Sequence, residues 1–342
     1  MKAMVLKEIK DMKEENNPLE LAEMEIPEPG PEEVLIKVKA CGVCHTELDE
    51  IEGRAPPSFF PIVPGHEVIG EIVEKGPAAG RFSVGDRVGV AWINSACESC
   101  KFCREGNDNL CSEFKATGRD AHGGYAEYMK VNYLYAYPIP ELFSDTEAAP
   151  LMCAGAIGYR SLKLTGIKNG KSLGLTGFGA SAHLVLKMAA HKYPDTEIYV
   201  FARNPGERKF ALELGAVWAG DTEDRSPRKL DAVIDTTPAW KPVVKALENL
   251  CAGGRLVINA IRKENADRDY LLNLDYPLHL WREKEIKSVA NISRSDPEEF
   301  IKLAAGIPVV PRVEEFPLEE ANKALMQLKK GNIRGAKVLR ID

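Results

Sequence analysis

No run of apolar residues in the chain is long enough to cross a bilayer. The longest uncharged stretch near the middle, Ser172 to Leu186, is fifteen residues and rich in Gly and Ser, against the roughly twenty that a spanning helix needs. An excess of basic residues is missing too: Lys and Arg total 45 against 51 Asp and Glu, a net charge of −6, whereas proteins that neutralise phosphates carry the opposite balance. Neither a nucleic-acid nor a membrane partner is expected. The opening stretch MKAMVLKEIKDMKEENN has no apolar core of the kind a secretory signal needs, and internal repeats and low-complexity tracts are absent. What remains is a small molecule as the expected partner and the cytoplasm as the expected compartment. Thiols stay reduced there, and clustered cysteines bind metal more often than they pair.

The 342 residues exceed the usual size of a single core, so two domains are expected. Up to about residue 150 the chain reads as short strands punctuated by Gly and Pro, in EVLIKVKACGV, HEVIGEIVEKG, GDRVGVAW and GYAEYMKV, which predicts a β-rich barrel or sandwich. After EAAPLMCAGAIGYRSLKL the pattern becomes α/β. Strands are predicted at SLGLTG, EIYVFAR, AVIDTT, GRLVINA and IKSVAN, with helices over 181–191, 205–214 and 239–251. Regular alternation of this kind predicts a doubly wound parallel sheet. The last fifty residues, with the helical PLEEANKALMQLKKG and the strand RGAKVLRI, have no place in that sheet and are expected to return to the first domain. The predicted division is 1–154 with 293–342, and 155–292.

Within SLGLTGFGASAHLVL, Gly177, Gly179 and Ala182 have the spacing GxGxxA between a strand and a helix. In that context the first glycine allows a tight turn and the second lets backbone approach a pyrophosphate. The small third residue lets the helix pack on the strand with its N-terminus toward the phosphates. An acid that would hold the ribose hydroxyls of NAD is missing from the end of the second strand, where EIYVFARNPGERK places Ala202, Arg203 and Asn204. A small residue followed by Arg leaves room and charge for a 2′-phosphate. NADP is therefore favoured over NAD, with Arg203 as the main anchor and Arg208 as a second.

Four of the eight cysteines, Cys97, Cys100, Cys103 and Cys111, fall in CESCKFCREGNDNLC. Four thiolates saturate tetrahedral zinc and make a structural site. The alternatives are an iron–sulfur cluster or free thiols, and the fourth cysteine lacks the CP ending of ferredoxin runs. Reactive metal chemistry needs three protein ligands and an open position. Cys41, Cys44, His45, His66, Glu67 and Cys153 are the candidates, and composition does not choose among them. Cys251, in the helix leading to GGRLVINA, is expected to be inert core.

The motifs CGVCHTELD, GHEVIGEI, GDRVGV, LMCAGAIGY and IRGAKVL, with the four-cysteine loop and the glycine loop, occur in one order along essentially the whole chain. In this the chain resembles the zinc-dependent medium-chain alcohol dehydrogenases. The resemblance implies a GroES-like catalytic domain joined to a Rossmann nucleotide-binding domain, and two zinc ions per subunit. It implies catalytic zinc ligands at Cys44, His66 and Cys153, with Glu67 beside them as an outer or transient ligand. Thr46 takes the position that relays the alcohol proton and His45 the one that contacts cofactor phosphate. Arg334 matches a C-terminal phosphate-binding arginine, and Trp92 a wall of the substrate pocket. Glu47 stands where Asp is usual. Asp49 stands where many members have His at the outer end of the proton relay, so a carboxylate or water must complete the transfer here. Cys41 fits no ligand position. The activity implied is interconversion of alcohols with aldehydes or ketones by hydride transfer with NAD(P), in a homodimer or homotetramer. A polyol or sugar dehydrogenase of the same fold is the nearest rival. A non-catalytic nucleotide-binding regulator would be expected to have lost a zinc ligand or Thr46, and none is lost.

Overall fold

Glu33–Val43 is the longest strand of the first half, and Val34, Ile36, Val38 and Ala40 along it are all fully buried. The alternation of these residues with the half-buried Lys37 and Lys39 gives its middle one core face, and both faces are buried from Ala40 onward. It lies at the centre of a seven-stranded sheet, pairing antiparallel with Val68–Lys75, Tyr128–Asn132 and Ala336–Arg340. Val313–Pro317 lies parallel to Ala336–Arg340 at one edge. Arg87–Val90 and Ala136–Pro138 extend the other side. The computed structural model describes residues 1–307, 310–331 and 335–341, so Arg334 lies outside the described residues.

The chain divides into two compact units. The first holds Met1–Cys153, Ile292–Ala305 and the chain from Val310; the second is Ala154–Asn291 with the short stretch from Gly306. In the second unit six strands run parallel, in the order Trp218–Gly220, Glu197–Phe201, Ser172–Thr176, Leu230–Asp235, Leu250–Ile258, Glu285–Ser288. Numbered along the chain this is 3-2-1-4-5-6, the doubly wound order whose direction reverses between the first and fourth strands. Every residue of Ser172–Thr176 is buried, as expected of a central parallel strand covered on both faces. Helices Ala180–Lys192, Pro205–Glu213 and Lys241–Asn249 connect the strands.

The structure differs from expectation at three points. The strand Trp218–Gly220 was not predicted: it has only three residues, too few for any periodicity to register. The helix predicted over 239–251 stops at Asn249. Cys251, read as inert core at its end, instead lies in the strand Leu250–Ile258 and is partly exposed, with its Sγ 3.3 Å from the carbonyl of Ala252. Among the described residues no helix is long and apolar enough to cross a membrane.

Candidate active site and metal centres

The four-cysteine loop has almost no hydrocarbon core. Phe102 and Leu110 are 40% and 44% exposed, and its buried apolar centre is Cys103 and Cys111. Glu98 turns the chain through φ 55°, a left-handed conformation that a non-glycine residue adopts at a cost. One helical turn, Lys101–Arg104, starts at Cys100. These turns bring all four sulfurs within 4.8 Å of one another, with Cys97–Cys103 at 3.9 Å and Cys100–Cys103 at 3.5 Å. Sulfurs about 2.3 Å from a tetrahedral centre stand about 3.8 Å apart, so the cage fits zinc. The backbone N–H groups of Cys100 and Glu113 donate to Cys97 and Cys111 sulfur at 3.3 Å, as thiolates require. The Ser99 hydroxyl, then backbone amides, bring the Cys97 thiol down to about 6. The loop is tied to its unit by the Tyr135 hydroxyl and the Arg294 guanidinium on Glu98, at 2.7 and 2.5 Å, and by the Arg294 N–H on the Asp108 carboxylate at 3.0 Å.

The second cluster is assembled from strand ends. Glu33–Val43 runs directly into Cys44, the residue before the helix His45–Ile51, and its neighbour Val68–Lys75 begins immediately after His66 and Glu67. The Gly42 N–H donates to the Glu67 carbonyl at 2.9 Å. A Cβ on Gly42 would stand 1.9 Å from Glu67 Oε2, so glycine is required for Glu67 to lie against the strand. Cys153 comes from the turn Ala149–Met152, seated where Met152 sulfur fills the space that a side chain on Gly89 would need. The ligand atoms of Cys44, His66, Glu67 and Cys153 lie within 4.8 Å of one another, and Cys44 and Cys153 sulfurs are 3.8 Å apart, again the edge of a zinc tetrahedron. Two thiols and an imidazole supply three donors, and the Glu67 carboxylate stands close enough to be a fourth.

Glu47, fully buried, sets the geometry of this cluster. Its Oε2 accepts from the Cys44 N–H at 2.7 Å, and its Oε1 lies 2.6 Å from His66 Nδ1, so Nδ1–H donates and Nε2 is left to face a metal. The Cys44 thiol is held well below its usual range by its bond with Cys153, against burial and with help from His66. That bond and burial push Cys153 well up. Burial acts to lower His66, but Glu47 and Cys44 raise it well above the usual value. Burial pushes the Glu67 carboxyl up. Cys44 is thus disposed to be a thiolate, while Cys153 and His66 favour their protonated forms and would release a proton to a bound divalent cation. Replacing Glu47 by Ala is expected to weaken metal retention at the three-ligand site by about 10- to 100-fold, read by competition with a chromophoric chelator; retention equal to that of the unmodified protein would contradict it.

Of the other expected site residues, His45 is exposed and Thr46 half-buried, with Thr46 Oγ1 3.7 Å from Cys44 sulfur. Asp49, 4% exposed, is paired with Arg54 Nε at 2.5 Å. Trp92 packs against Phe114 at 5.3 Å, and the Arg119 guanidinium lies 5.2 Å over the Trp92 ring. Cys41 is fully buried beside Gly65 and Gly124, a packed residue. The Glu50 carboxylate, also buried, has no hydrogen-bond partner among the described residues, and burial pushes it well up. Neither Glu50 nor Arg119 carries a motif that would single it out in the sequence.

In the second unit Gly177 has φ +75°, and a Cβ there would meet Thr236 Oγ1 and Thr237 Cγ2 at 2.9 Å. Gly179 precedes the helix Ala180–Lys192, and the position of a Cβ on it has nothing within 4 Å, so open space lies over the helix N-terminus. Ala182 is fully buried. The loop sits where the sheet reverses, the usual seat of a dinucleotide. Arg203 is exposed just past the second strand. The Asn204 side chain caps the next helix by accepting from the Gly206 N–H at 2.7 Å. Arg208, expected as a second anchor, is instead committed to the Ala202 carbonyl at 2.9 Å and to Asp221 at 3.0 Å.

Residues 30–141 match the model of the alcohol dehydrogenase GroES-like domain. The chain is 43% identical to the probable alcohol dehydrogenase AdhA of Mycobacterium tuberculosis, over 96% of this chain and 94% of that one. It superimposes with a TM-score of 0.83 on a cobalt- and zinc-bound thermostable alcohol dehydrogenase from Pyrobaculum aerophilum, at 25% identity over 99% of both chains. A zinc-binding dehydrogenase from Sinorhizobium meliloti solved with NADP also gives 0.83, at 25% identity over 99% and 98%. Identity of 43% along nearly the full length of both chains reflects common descent and not convergence on a shape, and it makes this chain a member of the zinc-dependent medium-chain alcohol dehydrogenase family.

Proposed function

We propose that the chain interconverts an alcohol and its aldehyde or ketone, with Cys44, His66 and Cys153 holding a catalytic zinc and NADP as the hydride partner. The observation that carries the reading is the donor set in the first unit: two sulfurs 3.8 Å apart with a carboxylate-oriented imidazole, which leaves one coordination position for substrate oxygen. The metal, when bound, supplies Lewis acidity at that oxygen, and the nicotinamide accepts or returns the hydride.

The chain's own part is positioning and proton movement. Glu47 holds Cys44 and His66 in register, and Glu67 stands as an outer or transient ligand. The Thr46 hydroxyl, next to Cys44, takes the alcohol proton. Asp49 is three residues on, on the same face of the helix, so the outer end of the relay is an ion-paired carboxylate and not an imidazole. His45 and Arg334 are assigned to cofactor phosphate, Trp92 to the substrate wall, and Cys97, Cys100, Cys103 and Cys111 to the structural zinc. The catalytic domain is taken as 1–154 with 293–342 and the nucleotide domain as 155–292. Gly177, Gly179 and Ala182 admit the pyrophosphate, and Arg203 with Asn204 the 2′-phosphate end. Eight free cysteines suit a reducing compartment such as the cytoplasm. A homo-oligomer joined through the second unit fits the edge strand Glu285–Ser288, all four of whose residues are exposed, and the exposure of Leu272, Tyr276 and Trp281 at 88%, 61% and 58%.

The test is the change in reduced-nicotinamide absorbance when metal-replete protein meets short alcohols and aldehydes with each dinucleotide. Turnover with NADP above NAD is expected. Replacing Arg203 by Ala should raise the NADP KM by about tenfold, the loss of one charge-assisted contact of about 1.4 kcal/mol, and leave NAD nearly unchanged. No turnover with either dinucleotide would end the enzyme reading, and a preference for NAD unaffected by Arg203→Ala would end the NADP assignment.

A further inference from the structure

Beneath the glycine loop lies a buried ion pair that the reaction as proposed does not use. Asp235 closes the fourth strand of the parallel sheet with no exposed surface. Its carboxylate accepts from the Thr176 hydroxyl at 2.6 Å and the Thr237 hydroxyl at 2.8 Å. Thr176 is the last residue of the first strand, directly before Gly177. Lys263, from the segment that follows the strand Leu250–Ile258, reaches in with a side chain only 8% exposed and pairs with Asp235. Its ammonium also donates to the carbonyls of Thr237 at 2.7 Å and Ala239 at 3.0 Å, so all three of its protons are used. Thr236 fastens the same corner, its N–H and hydroxyl both 3.0 Å from the Thr176 carbonyl.

A surface lysine in its place would gain little by giving up water. Burial of this ammonium is tolerable only because every proton has an acceptor, one of them charged. The contacts tie three stretches together at the point where the strand order reverses: the end of the first strand, the turn 235–239 and the segment around residue 263. Thr236 and Thr237 are the residues that a side chain on Gly177 would strike at 2.9 Å, so the turn held by Lys263 packs directly against the glycine loop, whose Gly179 faces open space.

We propose that Lys263 is a positioning residue for the dinucleotide: by clamping the turn 235–239 through Asp235, it sets the wall of the crevice against the glycine loop before the cofactor arrives. The inference rests on the reading of that crevice as the nicotinamide dinucleotide site. Pre-organisation lowers the ordering cost of binding, and the wall lies beside the glycine turn and not beside Arg203. Loss of the clamp should therefore weaken NADPH and NADH alike.

Fluorescence titration of purified, zinc-replete protein with NADPH and with NADH tests this in Lys263→Met, Lys263→Arg, Asp235→Asn and the Asp235→Asn/Lys263→Met double variant. Each neutral single variant is expected to raise both dissociation constants by about tenfold, with their ratio unchanged, and Lys263→Arg to recover most of the affinity. The double variant removes both charges, so its thermal midpoint should recover part of what either single loses while both dissociation constants stay raised. Dissociation constants that return to normal with the midpoint in the double variant would show a role in stability alone and overturn the proposal, as would unaltered affinities in Lys263→Met. Should a single variant fail to fold, the double variant and Lys263→Arg carry the same comparison. If the unmodified protein binds neither dinucleotide, the reading of the crevice falls first and the clamp's role with it.

Discussion

Replacing Cys44 by Ser is expected to lower turnover by on the order of 10³-fold and to reduce the zinc content from two ions per chain to one. Cys44 is one of the three proposed ligands, and its thiol is held well below the usual range by the Cys153 bond, with help from His66. A serine hydroxyl in the same place stays protonated near neutrality and is a poor zinc donor. Lewis-acid stabilisation of developing charge is worth several kcal/mol, and about 4 kcal/mol corresponds to about 10³ in rate. The four sulfurs of the other site belong to a separate loop and share no ligand atom with this one, so one zinc should remain. Metal analysis and turnover on the same preparation decide the matter. Loss of both ions, or full zinc occupancy with unaltered turnover, would each show that the two sites do not have the separate roles assigned to them.

The separation of the two sites was only half legible in the amino-acid sequence. Four cysteines in one short loop announce a closed site by spacing alone, and GxGxxA between a strand and a helix announces the nucleotide unit. The open site has no such local signature. Cys44 and Cys153 are 109 residues apart; the pairing of Glu33–Val43 with Val68–Lys75 brings Cys44 to His66, and the turn Ala149–Met152 delivers Cys153 to the same place. Resemblance to a family singled them out; spacing could not. The polar contacts that tune the site were less legible still. Asp49 reads as a departure from a histidine, but its ion pair with Arg54 depends on how the chain turns at Gly53, where φ is +73°. Lys263 stands in RKENADRD, which reads as a solvated stretch, and its burial follows from the topology of the parallel sheet. The strand Trp218–Gly220 escaped notice for the related reason that three residues carry no period and their partner Glu197–Phe201 supplies the order. Apart from the Asp49–Arg54 pair, which a local turn sets, contacts between distant segments decide these features, and a local pattern records none of them.

Replacing Cys111 by Ser should produce the opposite outcome to Cys44→Ser: a large loss of stability with the chemical step nearly intact. With Phe102 and Leu110 turned outward, the loop buries too little hydrocarbon to order itself, and the left-handed Glu98 adds a local cost. Binding of the metal supplies the folding energy of such a segment. Loss of a structural metal belongs with the largest single-site effects, about 4 kcal/mol or more. For a unit of about 200 residues that corresponds to a fall of about 10 °C in the thermal midpoint. The loss should spread beyond the loop, because Glu98 and Asp108 hold Tyr135 and Arg294 in the same unit. Scanning calorimetry would measure the fall, and turnover at a temperature well below the lowered midpoint would show whether kcat per folded molecule stays within about threefold of the unmodified value, a change below 1 kcal/mol in the barrier. A midpoint unchanged by Cys111→Ser would mean that contacts other than the metal hold the loop. A collapse of kcat in protein shown to be folded would mean that the four-cysteine site acts on the chemistry itself. The predicted combination follows from coordination: four thiolates complete the tetrahedron and leave no position at which a substrate could bind.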